Sequence, residues 1–161
     1  MDRSLFDQYE AGGLKLRQAI SGLTREDLLA KPPAEWKVGL WSIQQVVMHL
    51  MDSDLIWAAR IKCMIAEENP TIIGYDESRF AANLLYDEQD VSLAVEIFDL
   101  NRRQFAKVLR KLPPAAFART GQHSERGMIT VEQSMHGEVE HLDHHVKFIH
   151  AKREKMGKEM W

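Results

Sequence analysis

At 161 residues, with 45% hydrophobic and 28% charged residues, the chain suits one domain spanning 1–161, with a sizeable core that needs no disulfide or metal staple, and extended disorder is excluded. A net charge of -3 and a pI near 6.2 give no electrostatic reason to expect nucleic acid as a partner. The single cysteine, Cys63, the lack of a basic-then-apolar opening, and the lack of any run of about 18 apolar residues point to a cytoplasmic protein without a membrane partner.

Leu5, Phe6, Tyr9, Leu16 and Ile20 recur at helical spacing, so residues 2–21 read as a first amphipathic helix that tolerates Gly12 and Gly13. Gly22 looks like its stop, and Thr24 to Asp27 have the form of a cap for a short second piece ending before Pro32 and Pro33. Ser42 with Gln45 three residues on is a capping-box pattern, which starts the next helix at 42 or 43. Its apolar stripe is Ile43, Val46, Val47, Leu50, Trp57, Ile61 and Met64, running to about residue 67. With Val46 at zero and roughly 100° per residue, His49 falls near -60°, on the border of that stripe. Cys63, isolated in a helical pattern, reads as a small buried hydrophobe rather than a catalytic thiol.

Residues 68–87 hold Pro70, Gly74 and scattered aromatics without periodicity, and read as a long loop with a short helix around 77–84, a candidate lid. A third long helix is expected from about Asp90 to Leu112, with Leu93, Val95, Ile97, Phe98, Phe105, Val108 and Leu109 on its apolar face, and Pro113 and Pro114 stop it. Residues 115–129 read as a connection. A fourth helix starts near Thr130, with Gln133 three residues on, and runs to about residue 156. Four long amphipathic helices and no period-two alternation predict an all-α four-helix bundle with long inter-helix connections.

The fourth helix carries Glu140-His141-Leu142-Asp143-His144-His145, three imidazoles within five residues. Centring its apolar stripe on Met135, with Val131, Val139, Leu142, Val146 and Ile149 beside it, puts His145 near -80°, His141 near -120° and His144 near 180°, at roughly 100° per residue. His141 and His145 therefore share one edge of the core face, while His144 points away. The i, i+4 spacing lets two imidazoles reach a single ion, and His49 on another core border offers a third ligand. A polar helix edge with ordinary surface pairs to Glu140 or Asp143 is the competing reading. His123, His136 and His150 lack such pairing and read as structural or surface residues.

The run Glu35-Trp36 and then Trp41 to Asp54, with its Trp-Ser and His-Leu-Met-Asp-Ser elements, resembles a characteristic segment of the DinB/YfiT-like superfamily. His141 to Ile149 is similar to that superfamily's final His-x-x-x-His segment, and Leu112-Pro113-Pro114 and Thr120-Gly121-Gln122-His123 lie between them in the expected order. The resemblance covers about residues 30–150. It implies a four-helix bundle, commonly a homodimer, with a divalent metal ion on His49, His141 and His145. Where the superfamily often has Gln before the final Ile, this chain has Phe148, which puts any role for that amide in doubt.

Three neutral imidazoles leave a coordination position open, the pattern of catalytic rather than closed structural sites. Zinc and nickel both suit such ligands. The resemblance implies an enzyme acting on a small-molecule substrate, with transfer of a low-molecular-weight thiol to an electrophile expected ahead of metal-dependent hydrolysis, and a non-catalytic metal-binding or stress-related bundle as a third reading. Asp52, one turn after His49, is either an acceptor that orients that imidazole or a solvated acid. Glu138 is either a base or a surface carboxylate, and Arg60 and Arg79 could meet an acidic substrate or simply be solvated. Met48, Met51 and Trp57 could serve a dimer interface or the core.

Overall fold

The computed structural model describes residues 3–159, so the expected helix start at residue 2 lies outside the described residues. Helix α1 spans Ser4–Ala19 and the short α2 spans Arg25–Leu29. Thr24 caps α2, and its box is closed by Asp27, whose carboxylate accepts the Thr24 N–H at 2.9 Å. Helix α3 runs over Ile43–Ala66. At its start Ser42 Oγ accepts the Gln45 N–H at 3.2 Å and Gln45 Oε1 accepts the Ser42 N–H at 3.1 Å, so two otherwise orphaned amides are satisfied reciprocally.

Helix α4, Glu77–Asn83, is capped by Asp76, and α5, Val91–Leu109, by Asp90. Thr130 and Gln133 make the same reciprocal box at the head of α6, Val131–Lys155. Among the described residues the expected 115–129 connection holds more than a loop. A 3-10 turn over Pro114–Ala118 leads into strands β2, Thr120–His123, and β3, Gly127–Thr130; β2 pairs in parallel with β1, Thr71–Ile72, and antiparallel with β3. Strands of two and four residues are too short to show period-two alternation. Gly121 sits where β2 passes α3 and β1, and a Cβ there would meet Ile72 Cδ1 at 2.6 Å and Met64 Cγ at 2.9 Å.

Helices α1 and α3 each pack against both α5 and α6. The bundle order around the ring is therefore α1, α5, α3, α6, and the successive pairs α1 to α3 and α5 to α6 are diagonal. Diagonal helices cannot be joined by the short loops that serve neighbours in an up-down bundle. The long connections at 20–42 and 110–130 follow from that crossing.

The apolar core divides into two clusters. One gathers Leu16, Ile43, Val47, Met48, Phe98 and Val146, and the other Phe6, Ala58, Met64, Phe105, Phe117 and Met135. Between them runs a polar layer, with Asp54 and Arg102 essentially without solvent exposure. Arg102 Nε donates to Asp54 Oδ1 at 2.7 Å, its Nη2 donates to the Glu138 main-chain carbonyl at 3.1 Å, and Asn101 Nδ2 donates to Asp54 Oδ2 at 2.6 Å. The guanidinium lies between the rings of Tyr9 and Phe98, 4.6 and 4.3 Å from their centroids. Gly12 makes room for it, because a Cβ at that position would stand 2.4 Å from Arg102 Nη1.

Three packing expectations change. Leu93 and Val108, expected on the apolar face of α5, are exposed, since they sit on the side of that helix turned from both α1 and α3. Met48 and Met51 are core residues and supply no interface. Trp57 is half-buried and lines a cavity described below.

Candidate metal centre

His49 comes from the second turn of α3, and His141 and His145 from consecutive turns of α6, two helices packed side by side. The capping boxes at Ser42 and Thr130 fix where those helices begin, and so fix which residues meet. Among the described residues these three are the cluster whose ligand atoms converge, lying within 4.8 Å of one another. Nε2 of His141 is 3.0 Å from Nε2 of His49 and 3.1 Å from Nε2 of His145.

A neutral imidazole nitrogen carries either one proton or one lone pair, so His141 Nε2 cannot make good hydrogen bonds to both neighbours. Protonation would place like charges against one another. Burial, followed by His145, pushes His49 down to about 4; burial and the neighbouring His49 and Arg102 push His141 down to about 3; burial, then His141, His144 and Lys152, push His145 down to about 3. All three are neutral at pH 7. Lone pairs turned toward one point are what a cation satisfies, and two nitrogens at about 2.0–2.1 Å from a shared ion stand about 3 Å apart when they subtend nearly a right angle. The residues present therefore fit a divalent ion.

The surroundings hold the rings in place. Trp41 packs edge-on against His49 with centroids 5.1 Å apart, and His144 stands edge-on to His145 at 5.2 Å. His144 is exposed, as expected, but it sits on the rim of the cavity rather than away from it. Asp52 does not orient His49: its Oδ2 accepts the Tyr86 hydroxyl at 2.6 Å, and His49 Nδ1 is buried without a partner. Half-buried in that bond, Asp52 is not a solvated acid either.

The histidines open into a cavity of about 900 Å³. Its wall continues along α3 through Ser53, Trp57 and Arg60 and along α6 through Ser134 and Glu138, and it is closed by Tyr75 of the 67–90 connection and His123 of β2. The candidate lid of the sequence thus contributes a wall. Glu138 is buried rather than superficial, and burial, followed by Asp54, pushes its carboxyl up to about 8, so it is largely protonated at pH 7. The helical wheel could have placed it there: from Met135 it falls near -60°, beside His145, at roughly 100° per residue.

His123 gave no such signal. It is buried, stacks on Trp57 with an interplanar angle of 13°, and accepts the Glu125 N–H on Nδ1. Arg60 lines the cavity, whereas Arg79 is exposed, pairs with Asp76 at 3.6 Å and stands apart from it. Burial raises the Cys63 thiol, and it too lies elsewhere.

The sequence model of the DinB superfamily matches residues 8–149. A protein of Oceanobacillus iheyensis that carries the provisional name metal-dependent hydrolase is 30% identical over 135 residues, 83% of this chain and 75% of its own length. YfiT of Bacillus subtilis, with the same provisional name, is 29% identical over 144 residues, covering 89% of this chain and 79% of YfiT. The solved structure of YfiT superposes with a TM-score of 0.88 at 28% identity, over 96% of this chain and 86% of that one, and is described as "a probable metal-dependent hydrolase with an unusual four-helix bundle topology".

Proposed function

The chain belongs to the DinB superfamily, and from that membership and the site's geometry we propose that it is a metal-dependent hydrolase of a small-molecule substrate, with His49, His141 and His145 as the metal ligands. The observation that supports this most directly is the convergence of three neutral imidazoles on the wall of a cavity large enough for a substrate. A divalent ion held by His49, His141 and His145, for which zinc and nickel are both suited, would supply Lewis acidity there and would lower the pKa of water toward neutrality.

The chain's own residues supply the rest. His49 comes from one helix and His141 and His145 from another, so the site depends on the α3–α6 packing and leaves its cavity side free. Trp41 covers the His49 ring and restricts water from that side. Glu138, one turn before His141 and largely protonated at pH 7, holds a proton that it can donate to a leaving group.

Thiol transfer, which the sequence resemblance placed first, now stands second. The relatives described above are named for hydrolysis. Homodimer formation, also implied by the resemblance, would have to use faces other than Met48 and Met51.

Metal analysis of untagged protein should give about one divalent ion per chain, lost in His49→Ala. Hydrolysis of a panel of activated esters and amides should disappear on chelation and return on remetallation, while consumption of small thiols by chlorodinitrobenzene should stay at background. No metal in either protein, or hydrolysis indifferent to chelation, would reject the reading, and metal-dependent thiol consumption would restore the transferase.

A further inference from the structure

The far end of the cavity is built differently from the histidine end. Arg60 of α3 and Arg126 of the β2–β3 turn both lie over the Trp57 ring, their guanidinium carbons 4.8 and 5.9 Å from its centroid. Arg60 is held there by donating to the Ile73 main-chain carbonyl, and it also lies 5.6 Å from the Tyr75 ring centroid. Among the described residues neither guanidinium has a carboxylate within ion-pairing distance, although Glu77, Glu125 and Glu140 line the same cavity from exposed positions. Two like charges gathered at one aromatic ring, with Glu138 and Glu125 acting on Arg60 only from beyond ion-pairing distance, form a site that an oxyanion completes, because guanidinium donors match carboxylate and phosphate oxygens.

We propose that Arg60 and Arg126, with Trp57 beneath them, form an anion-recognising subsite that selects an elongated substrate carrying a carboxylate or phosphate at the end remote from the histidines. Helix geometry sets the length. His49 and Arg60 are eleven residues apart, three turns plus roughly 20°, so they face the same side of α3 with Ser53 and Trp57 between them. Arg60 leans back over Trp57, in the direction that helical side chains favour, which leaves roughly 10–12 Å between the anion and the histidine end. Glu138 lies in the same cavity, and as a protonated carboxyl it does not repel an anion passing over it.

This inference rests on the histidine cluster being the reacting end, but binding tests it without turnover. Calorimetric titration of the full-length protein with phenyl phosphate, 4-phenylbutyrate and the neutral 4-phenylbutanol is the direct experiment, repeated on His49→Ala and on the double variant Arg60→Gln/Arg126→Gln. At least one anion should bind the wild type and His49→Ala alike, at least about tenfold more tightly than the alcohol, and lose about tenfold or more in the double variant. Whichever anion binds more tightly identifies the head group. Arg126 is exposed, so Arg126→Gln alone, which leaves the core untouched, should show a partial loss even if the double variant folds poorly.

Equal binding by the double variant overturns the subsite. So does anion binding that vanishes in His49→Ala but survives in Arg60→Gln/Arg126→Gln, since the anion would then sit at the histidines. Arginine-dependent binding without any hydrolysis would leave the subsite standing and reject only the hydrolase.

Discussion

The Asp54–Arg102–Glu138 layer and the His49–His141–His145 cluster lie within two turns of each other on α3 and α6, and both withdraw polar groups from solvent, the layer between two apolar clusters and the histidines on a cavity wall. Their bonding differs. In the layer, Asp54 accepts from both Arg102 and Asn101, and Arg102 packs against two rings and donates through Nε and Nη2, with only its Nη1 lacking a hydrogen-bond acceptor. In the cluster, three nitrogens converge so that His141 Nε2 faces two neighbours with a single proton or lone pair to offer, and His49 Nδ1 has no hydrogen-bond partner among the described residues. A buried polar group satisfied within the chain supports the fold, and one left with convergent lone pairs marks where something else binds.

The largest expected effect tests the first half of that contrast. Arg102→Met leaves Asp54 as a buried charge without its ion pair and should cost about 3–5 kcal/mol in urea unfolding. His141→Ala removes the crowded nitrogen and should change the metal-free protein by less than about 1 kcal/mol. Equal losses would mean that the two clusters are held in the same way.

Next is the effect of metal. Zinc or nickel at a hundred times its dissociation constant should stabilise the wild type by about 2.7 kcal/mol, seen as a rise in melting temperature, and should leave His141→Ala unmoved. Calorimetric scans with and without the ion give the comparison directly. Gly12→Ala acts on the layer and its apolar border: its Cβ would press on Arg102 and on Leu142 Cδ2 at 2.8 Å, and a cost of about 1–3 kcal/mol with metal affinity unchanged is expected. An altered metal affinity would show that the two clusters are coupled.

How much of this was legible in the sequence depends on whether a residue's position is set by a helix. Ser42 with Gln45 and Thr130 with Gln133 mark helix starts, and a fixed start with a fixed rotation per residue placed His49, His141 and His145 on facing edges. Glu138 falls on the same wheel beside His145, but a carboxylate there reads equally as a base or a surface acid, because the wheel fixes direction and not burial or protonation. Trp57's partner His123 and the arginine pair's second member, Arg126, are positioned by a two-residue strand and a four-residue one, whose pairing partners lie about fifty residues apart in sequence. No local period encodes such a contact. The diagonal order of the helices was likewise hidden, although one consequence, a connection between the first two long helices too long for neighbours, was visible.

The smallest effect separates the two clusters by the sign of their pH dependence in metal-free protein. The histidines ordinarily titrate near 6.5 and are held at about 4, 3 and 3 in the folded chain, so between those values the unfolded chain binds more protons and stability falls as pH drops below about 6.5. Glu138 has the opposite sign. Its carboxyl is raised from 4.5 to about 8 by burial and by Asp54, so the folded chain keeps a proton that the unfolded one has released, and stability falls as pH rises from 4.5 toward 8. Where both operate, three histidines outweigh one carboxyl; above about 6.5 the carboxyl acts until pH nears 8, where Lys152, held down to about 8 by burial, begins to contribute with the opposite sign. Stability in the presence of a chelator should therefore peak near pH 6.5 and decline by at most about 1.4 kcal/mol per pH unit up to pH 8. Glu138→Gln should flatten that alkaline decline and leave the acid limb intact, whereas His141→Ala should soften the acid limb alone. Urea unfolding at half-unit pH intervals resolves both slopes, and an alkaline decline that survives Glu138→Gln would mean that a different buried group carries the proton.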